Sequence, residues 1–479
     1  MTRADHGPEQ HSSLFSPAHR RSTVALAALP FLVAFEALAV STVMPRAAEE
    51  LGGLTLYPLV FAAPLATSIV SIVVAGPWND RRGPMRVMTV GLVVFCAALL
   101  MVGLAPSMAM LVAGRAVQGL GMGLVTVSLY VLIARLYPPA LQPRMFTVLS
   151  AAWVVPGLVG PALAGWITEA VGWRIVFLAV PLLVVPARLL LQDPTGAASQ
   201  PGQGAPDGEG DGTRAPSRPP LLAAGAAALG IGALSIIGEQ ADGSLSPGTL
   251  ALLGGVMLVV AIAVPRLLPR EVLLSPDRVG RLVLARGVLA ASFVLAEVYL
   301  PLQLVARYGM SAAHAGLILT VTTVTWFAGS FMAGREVLPE RLRIAVGAGA
   351  MAVGTAATAA VLLTHHSPWL AGLTWCLTGL GMGLAYTSTS ILTMRRSHPS
   401  RQGRSSAALQ MAEALSQAVM LALTGVAFQV LLQRSGETSP APYGAVLAAA
   451  TTLAVVGVLV GVASGPEAAK RPPSRLGGR

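Results

Sequence analysis

The sequence predicts an all-α polytopic membrane protein, on the basis of its composition, its long apolar segments and the distribution of its charges. Hydrophobic residues make up 54% of the 479 positions and charged residues only 11%, whereas a typical soluble domain has about 25% charged residues. So little charge does not cover the surface of a soluble fold of this length. The composition therefore indicates that lipid surrounds most of the chain.

Fourteen segments are apolar over about the length of a membrane-spanning helix. Such a helix needs roughly 20 consecutive apolar residues, because lipid satisfies no backbone polar group. Six segments form a first group, two shorter or glycine-rich segments follow, and six more form a second group. In chain order they cover residues 23–44, 56–76, 87–105, 108–132, 145–168, 173–191, 221–237, 250–268, 282–304, 312–334, 344–363, 369–392, 407–432 and 443–463.

Basic residues are distributed unequally between alternate loops. If the amino terminus is cytoplasmic, the outer loops hold only four of the 32 lysines and arginines, which are Arg46, Arg174, Arg307 and Arg434. Arg115 is the one arginine that we place inside a span. This positive-inside bias predicts a multi-pass protein of the cell membrane with both termini in the cytoplasm. Because the positive-inside bias accounts for the net charge of +11, we expect the lipid bilayer as a partner and no nucleic acid.

Signatures of several enzyme classes are absent from the sequence. The single lysine, Lys470, is followed by Arg471, so the Gly-Lys-Ser/Thr of a Walker A loop does not occur. Neither His-Glu-x-x-His nor Gly-x-Ser-x-Gly is present. Cys96 and Cys376 lie in apolar segments, where they are predicted to be small buried residues. We therefore expect no enzyme, no cofactor and no metal site.

The chain contains an internal duplication. The run Gly-Leu-Gly-Met-Gly-Leu at 119–124 recurs at 379–384, and thirteen identities over 31 positions share this offset of 260. The matches include hydrophilic residues such as Arg135 with Arg395, which makes a chance repeat of apolar helices a poor explanation. Parallel six-span halves predict a substrate site at mid-membrane between them.

The duplication and a linker rich in Pro, Gly and Asp divide the chain. The predicted parts are a cytoplasmic tail at 1–22, a six-helix bundle at 23–191, a disordered cytoplasmic linker at 192–219, an inserted helix pair at 220–268, a second six-helix bundle at 282–463 and a cytoplasmic tail at 464–479.

The loop after the second segment carries a charge motif that consists of Gly76, Asp80, Arg81, Gly83 and Arg86. It resembles the signature loop of the major facilitator superfamily, Gly-x-x-x-Asp-Arg-x-Gly-Arg-Arg/Lys. The resemblance implies the major facilitator fold, here with two six-helix bundles and two extra central helices. It also implies a gating role, in which the aspartate forms a charge pair and the second glycine permits a tight turn. A merely basic inner loop is the alternative.

The fifth segment contains Gly157, Gly160, Pro161 and Gly165. It is similar to the antiporter motif of the superfamily, whose core is Gly-Pro-x-x-Gly-Gly. Small residues let this helix approach the opposite half closely, and the proline bends it. The first segment, around Glu36, also resembles that of the fourteen-helix drug:proton antiporter branch. Plain helix packing without antiport is the alternative.

Four ionisable residues are candidates for proton coupling or for the substrate cavity: Glu36, Arg115, Glu297 and Glu413. A charge inside a span is costly unless it faces a cavity or a partner. Glu36 and Glu297 lie at similar depth in equivalent helices, and Arg115 is the expected partner of Glu36. For both glutamates the alternative is a neutral side chain hydrogen-bonded to a neighbour, and for Arg115 it is a structural anchor. Glu413 lies nearer the inner face, where gating, coupling and packing all compete.

Together these features predict a monomeric secondary transporter that exports small amphipathic organic compounds, such as drugs or antibiotics, in exchange for protons. A facilitator or symporter that takes up a small nutrient is the alternative. From a different class, a transport-inactive membrane receptor or scaffold is possible. The buried carboxylates and Arg115 argue against such a loss of transport.

Overall fold

The computed structural model describes residues 13–17, 19–138, 141–192, 218–239, 246–267, 278–364, 367–397 and 402–463. Over these residues the chain forms fourteen long α-helices, one short 3-10 helix (Leu54–Leu56) and no strand. The long helices are α1 (Arg20–Glu50), α2 (Tyr57–Arg82), α3 (Pro84–Gly103), α4 (Met108–Leu136), α5 (Gln142–Val171), α6 (Trp173–Leu190), α7 (Arg218–Glu239), α8 (Pro247–Leu267), α9 (Arg278–Tyr308), α10 (Ala312–Gly334), α11 (Glu340–Leu363), α12 (Pro368–Arg396), α13 (Gln402–Ser435) and α14 (Pro440–Ala463).

Each predicted span coincides with one of these helices to within a few residues. By length and apolar composition, twelve helices of the described chain are candidate membrane spans. The other two are α7, whose apolar part Pro220–Leu234 is shorter, and α12. The predicted linker lies almost wholly, and the predicted C-terminal tail wholly, outside the described residues, so their boundaries stay predictions. Of the predicted N-terminal tail, residues 13–17 and 19–22 are described, and residues 20–22 belong to α1.

Glycines with positive φ separate two pairs of consecutive helices. Gly83, with a φ of 78°, ends α2, and Pro84 then occupies the first position of α3. Gly172, with a φ of 98°, ends α5, and Trp173 then begins α6. Only glycine adopts this backbone without strain. The tight turn predicted at Gly83 is therefore confirmed.

The helices pack into two six-helix halves and an inserted pair. Helices α1–α6 form the N-terminal half, helices α9–α14 form the C-terminal half, and the pair α7–α8 lies beside them. The halves meet along two main seams, one between α5 and α10 and the other between α2 and α13. Because successive helices run in opposite directions, α1 begins and α14 ends at the same side of the bundle. We call this side the terminal face and the opposite side the far face.

Large apolar side chains cover the outside of the bundle. Leu182 on α6 is 76% exposed, and Leu229 on α7 is 77% exposed. Exposure on this scale would be unfavourable in water but suits a surface that is solvated by lipid. The structure is therefore that of a multi-pass membrane protein.

Candidate functional site

Glu36 and Arg115 form a buried ion pair inside the N-terminal half. Arg115 Nη1 on α4 donates to Glu36 Oε1 on α1 at 2.6 Å and to Gln118 Oε1 at 2.6 Å. The side-chain amide of Gln118 donates to the second oxygen of Glu36. Glu36 and Gln118 have no exposed surface, and Arg115 is 5% exposed. The predicted pairing of Glu36 with Arg115 is thus present, and Gln118 completes it.

A backbone carbonyl from a third helix also accepts a hydrogen bond from this ion pair. Arg115 Nε donates to the carbonyl oxygen of Val60 on α2 at 3.2 Å. Burying an ion pair repays its desolvation only when the remaining donors and acceptors are also bonded. Here both carboxylate oxygens accept and two of the guanidinium nitrogens donate. The arrangement therefore holds α1, α2 and α4 together.

Glu297 lies in the equivalent helix of the other half, in a very different setting. Its half-buried carboxylate makes no hydrogen bond or ion pair with the described part of the chain. The position equivalent to Arg115 in the repeat is Trp375, so the cation that neutralises Glu36 has no counterpart there. A carboxylate in the middle of α9 without a cation is costly when ionised. No residue of the described chain supplies the counter-group that the ionised form would need.

An aromatic cluster lies on the same face of α9 as Glu297. Phe293 is four residues earlier, which puts the two side chains on one helix face. Its ring meets Trp326 of α10 edge to face at 4.9 Å and stacks on Trp375 of α12 at 5.4 Å. The indole nitrogen of Trp375 is buried and has no hydrogen-bond partner among the described residues. The helix face that carries Glu297 thus also carries apolar rings and an indole N–H that has no hydrogen-bond partner among the described residues.

Glu413 on α13 forms a second ion pair, nearer the terminal face. Arg286 Nε on α9 donates to Glu413 Oε2 at 2.9 Å, and the hydroxyl of Tyr386 donates to the same oxygen at 3.1 Å. The guanidinium of Arg286 also lies 3.1 Å from the centroid of the Tyr386 ring. This pair thus joins α9, α12 and α13 of the C-terminal half.

Arg286 was missed as a site residue. We placed only Arg115 inside a span, which is wrong, because Arg286 lies eight residues after the start of α9 and is 6% exposed. Its position within the predicted span 282–304 was the available signal. The bias of Lys and Arg toward one side of the membrane made an arginine near that end resemble an ordinary loop charge.

Asp80 of the signature loop forms no ion pair with the part of the chain that the structure describes. Its side chain is exposed and makes no hydrogen bond or salt bridge with the described residues. Its neighbour Asn79 is buried instead, and its Oδ1 accepts from Ser128 of α4 at 2.9 Å. The motif thus positions α2 against α4 through Asn79. The charge pair that the resemblance implies for Asp80 stays a prediction.

In the C-terminal half, the loop that corresponds to the signature loop follows α10. Ion pairs stabilise this loop, although its sequence does not match the signature. Glu336 follows α10 and pairs with Arg395 at the end of α12 and, at 3.1 Å, with Arg343 of α11. The hydrogen bond from Arg395 is the main cause that lowers the pKa of Glu336. Arg396 pairs with Glu340 at 2.6 Å in the same region. Sequence analysis missed this network because the family pattern is absent from it.

The glycines of the fifth segment lie where the two halves meet. A Cβ on Gly165 would lie 2.6 Å from the Cα of Ala313 on α10, closer than real Cβ contacts allow. A Cβ on Gly157 would lie 2.5 Å from Cγ2 of Thr323 on the same helix. Gly160 faces Phe35 of α1 instead, with space for a small side chain. The predicted close approach of α5 to the opposite half is therefore confirmed.

Pro161 is part of the same contact. A Cβ on Gly316 of α10 would lie 2.4 Å from the carbonyl oxygen of Pro161. Near the far face, Glu169 Oε1 accepts from the backbone N–H of Ala313 at 2.8 Å, in the first turn of α10. The two helices therefore touch along most of their outer length, with a polar contact at the end.

Two packed helical halves with charged residues buried among their helices are the architecture typical of secondary transporters of the membrane. The family model of the Major Facilitator Superfamily matches residues 26–421, and the chain belongs to that family. The predicted fold and the predicted family are therefore confirmed.

Several known proteins are similar to this chain. A probable multidrug-efflux transporter of Mycobacterium tuberculosis is 29% identical over 433 residues, which cover 87% of this chain and 88% of the relative. The multidrug efflux pump SdrM of Staphylococcus aureus is 22% identical over 396 residues, covering 79% of this chain and 83% of the relative.

Solved structures share the fold at low identity. The inward-facing, unoccupied structure of a bacterial homolog of the human lysosomal transporter Spinster superposes with a TM-score of 0.64 and 14% identity, and covers 94% of this chain and 97% of its own. The peptide transporter POT in complex with sulfate gives a TM-score of 0.62 and 15% identity, and covers 93% and 95%. Both similarities concern the fold alone.

Proposed function

We propose that this protein exports small amphipathic organic compounds in exchange for protons. The single observation that carries the proposal is the contrast between its two central carboxylates. Glu36 is neutralised by Arg115 and accepts a hydrogen bond from Gln118, whereas Glu297 has no partner among the described residues. One carboxylate is thus already committed to structure, and the other is free to bind a proton or a ligand in turn.

The surroundings of Glu297 fit an amphipathic ligand. Phe293, Trp326 and Trp375 offer apolar ring faces, and aromatic rings bind large apolar groups with little loss of side-chain entropy. Glu297 and the free indole N–H of Trp375 add a few polar contacts. Sites for small molecules commonly combine an apolar wall with a small number of polar groups. The multidrug-efflux names of the relatives agree with such a ligand.

Exchange follows if proton and substrate compete for Glu297. A buried carboxylate that holds a proton is neutral and does not attract a second counter-group. When the site opens to the side with fewer protons, Glu297 loses its proton and binds substrate. When it opens to the other side, a proton displaces the substrate. A difference in proton concentration then drives the compound outward.

Transport in vesicles tests this proposal. Proteoliposomes with the protein in a known orientation would receive a fluorescent aromatic cation such as ethidium, with and without an imposed pH gradient. We expect accumulation only when the gradient is present, and its collapse when a protonophore is added. Uphill movement in the opposite direction would favour a symporter. Equal movement with and without the gradient would favour a facilitator, and no movement of any tested compound would favour a receptor or scaffold.

A further inference from the structure

The far face of the molecule is closed along both seams between the halves. At the first seam, a Cβ on Gly165 of α5 would lie 2.6 Å from the Cα of Ala313 on α10. At the second seam, a Cβ on Gly425 of α13 would lie 2.7 Å from the ring of Pro58 on α2. Opening the far face therefore requires the end of α5 to separate from the first turn of α10.

Glu169, near the far end of α5, caps the first turn of α10 from the opposite half. Its Oε1 accepts from the backbone N–H of Ala313 at 2.8 Å, and the hydroxyl of Ser311 also hydrogen-bonds to its carboxylate. The first N–H groups of a helix have no partner within the helix. An ionised acceptor bonds such a group about twice as strongly as a neutral one. Separation of the halves therefore removes a strong cap from α10.

The polar contacts described at the second seam involve neutral groups. The hydroxyl of Tyr57 on α2 donates to the carbonyl of Val298 at 2.9 Å, and the side-chain amide of Gln429 donates to the carbonyl of Thr55. Such hydroxyl, amide and carbonyl groups do not change their charge near neutral pH. The contact of Glu169 with α10 is charged, so its strength depends on the charges that lie beside it.

His314 is linked to the same carboxylate through Ser311. Its ring Nδ1 lies 2.8 Å from Ser311 Oγ, and this oxygen also accepts from the backbone N–H of His314 at 3.3 Å. Because an ionised carboxylate only accepts, the single hydroxyl proton of Ser311 points to Glu169. It follows that Nδ1 carries a proton and donates to Ser311, and that Nε2 is the nitrogen that can take up another. A titratable group is thus in direct contact with the cap.

Protons on the far side have access to this contact. His314 is exposed, and its ring lies edge to face against Trp369 of α12, within its own half. A cavity of 360 Å³ lies beside Glu169, and its wall includes Arg46 and Glu49. The side chains of these two residues are 60% and 64% exposed, so the cavity is open to water at the far face.

Other charges at this end of the bundle have partners within their own halves. Arg46 pairs with Glu49 at 2.5 Å on α1, and Arg174 of α6 pairs with Glu50 of α1. Arg307 of α9 donates to two backbone carbonyls of the C-terminal half. Separation of the halves leaves these bonds in place, whereas it breaks the contact between α5 and the start of α10.

We propose that Glu169, Ser311 and His314 form a latch across the halves, and that a proton taken up by His314 from the far side tightens it. The protonated ring places a positive charge at the start of α10, where the helix dipole makes such a charge unfavourable. With the far face closed, the carboxylate of Glu169 offsets that charge. When the halves separate, Glu169 leaves with α5. The closed form therefore binds the proton more tightly, and acid on the far side favours closure.

Distances between spin labels across the far face test the latch without any transported compound, so the result does not depend on the proposed function. In a Cys96→Ala/Cys376→Ala background, Leu104→Cys after α3 and Ser435→Cys at the end of α13 place labels on exposed positions of opposite halves. The protein in nanodiscs is compared at about pH 7.5 and about pH 5.5. These values lie on either side of the usual histidine pKa near 6.5 and above the usual glutamate pKa near 4.3. We expect the ratio of closed to open distances to be about threefold higher at the lower pH.

Two variants separate the charge of the latch from its hydrogen bonds. In His314→Asn the side-chain amide can still donate to Ser311 but takes up no proton. The ratio at about pH 7.5 should then be nearly unchanged, and its rise in acid should disappear. Glu169→Gln removes the ionised cap, so it should lower the ratio about fivefold, as the loss of a helix N-cap typically does. The rise in acid should also disappear in this variant.

Two controls complete the experiment. Glu49→Gln removes the same charge from the wall of the same cavity, but this carboxylate pairs within α1. The double variant His365→Asn/His366→Asn removes two histidines that precede α12 and lie outside the described residues. Both controls should keep the wild-type ratio and its rise in acid.

Several results would overturn the latch. They are a ratio that is constant or falls in acid, a rise that survives His314→Asn or Glu169→Gln, and an equal effect of Glu49→Gln. If a single distance is found at both pH values, the comparison is repeated in Gly425→Ala. That change disturbs the second seam, because the added Cβ would collide with Pro58, and it brings the open form into measurable proportion while the latch stays intact.

Discussion

At the scale of single residues, the interior contains two carboxylates with opposite surroundings. Both oxygens of Glu36 accept hydrogen bonds, from Arg115 and from Gln118, whereas Glu297 has no bond with the described chain. The same residue type at similar depth in equivalent helices therefore has bonded partners in one half and none among the described residues in the other. Trp375 in place of an arginine is the change that separates them.

Replacing Glu297 by Gln should abolish uphill transport. The amide keeps the shape of the protonated acid but neither releases nor takes up a proton, so a pH gradient no longer drives the cycle. Exchange of labelled for unlabelled compound should survive. Both are measured in proteoliposomes at several pH values. Unchanged accumulation with the same pH dependence would exclude Glu297 as the coupling residue. Glu36 and Glu413 would then be the remaining candidates.

Removing one member of the Glu36–Arg115 pair should destabilise the protein more than removing both. Arg115→Ala leaves an unneutralised buried carboxylate, at a cost of about 3–5 kcal/mol. The double variant Glu36→Ala/Arg115→Ala leaves no buried charge and should recover part of this loss. Thermal unfolding of the purified variants in nanodiscs gives the comparison. Additive effects of the two single changes would contradict a direct coupling between these residues.

At the scale of helices, glycines determine how closely the two halves approach. The contact of α5 with α10 depends on Gly157, Gly165 and Gly316, which leave no room for a side chain. The far-face end of this contact also has the carboxylate of Glu169 at the first turn of α10. The seam can close tightly because no side chain stands between the backbones.

Gly165→Val should keep the far face from closing. The added side chain would collide with Ala313 and Ala312, so the conformation seen here becomes unfavourable and transport falls at least tenfold by analogy with other gating defects. Labelling of a cysteine placed at Ala312 by a membrane-impermeant reagent should increase. Gly225→Ala is the matched control, because its Cβ meets nothing within 4 Å. Normal transport by Gly165→Val would show that this closure is not needed.

The ion pairs of Glu336 after α10 should keep their contribution to stability as the pH falls. Because Arg395 lowers the pKa of Glu336, the carboxylate stays ionised as the pH falls to the usual glutamate range near 4.3. Its contribution to stability is then complete above that range and is lost only below it. We expect wild type to exceed Glu336→Gln in thermal stability by a constant amount from about pH 7 to 5. A difference that already disappears near pH 6 would contradict the network.

At the scale of the whole molecule, the two halves surround charged residues that neither half exposes to lipid. The ion pair of Glu36 belongs to the N-terminal half, and that of Glu413 with Arg286 belongs to the C-terminal half. Each pair ties together helices of its own half. The halves can thus move as units, while the contacts between them are mostly apolar or between backbones.

The orientation of the molecule in the membrane is open to direct measurement. Because basic residues crowd one set of loops, reporter fusions after Arg86, Arg144 and Arg404 should report the cytoplasm. Fusions near Gly52 and Gly309, at the far face, should report the outside. The two kinds of reporter are active on opposite sides of the membrane, so each controls for the other. A cytoplasmic signal at both glycines would reverse the orientation.

The fold was predictable because lipid restricts it so strongly. Apolar length alone determines where helices lie, and the repeat at an offset of 260 indicates two similar halves. Glu36 and Arg115 could be paired in advance, because a charge inside a span needs a partner. Arg286 could not be distinguished from the basic loop residues by composition. The bond of Gln118 to Glu36 was also not predicted, since an uncharged amide in a span does not require a charged partner.

The sequence by itself therefore determined the helices, the family and the list of ionisable residues inside the membrane, because local apolar length and charge decide these. Only the tertiary structure decided which of those residues are neutralised, since partners come from different helices far apart in the chain. Gln118 and Arg115 on α4 meet Glu36 on α1, whereas no described side chain bonds Glu297. The position of α7 over one seam was likewise decided by packing, because its alanine stripe fits a surface that two distant helices build together.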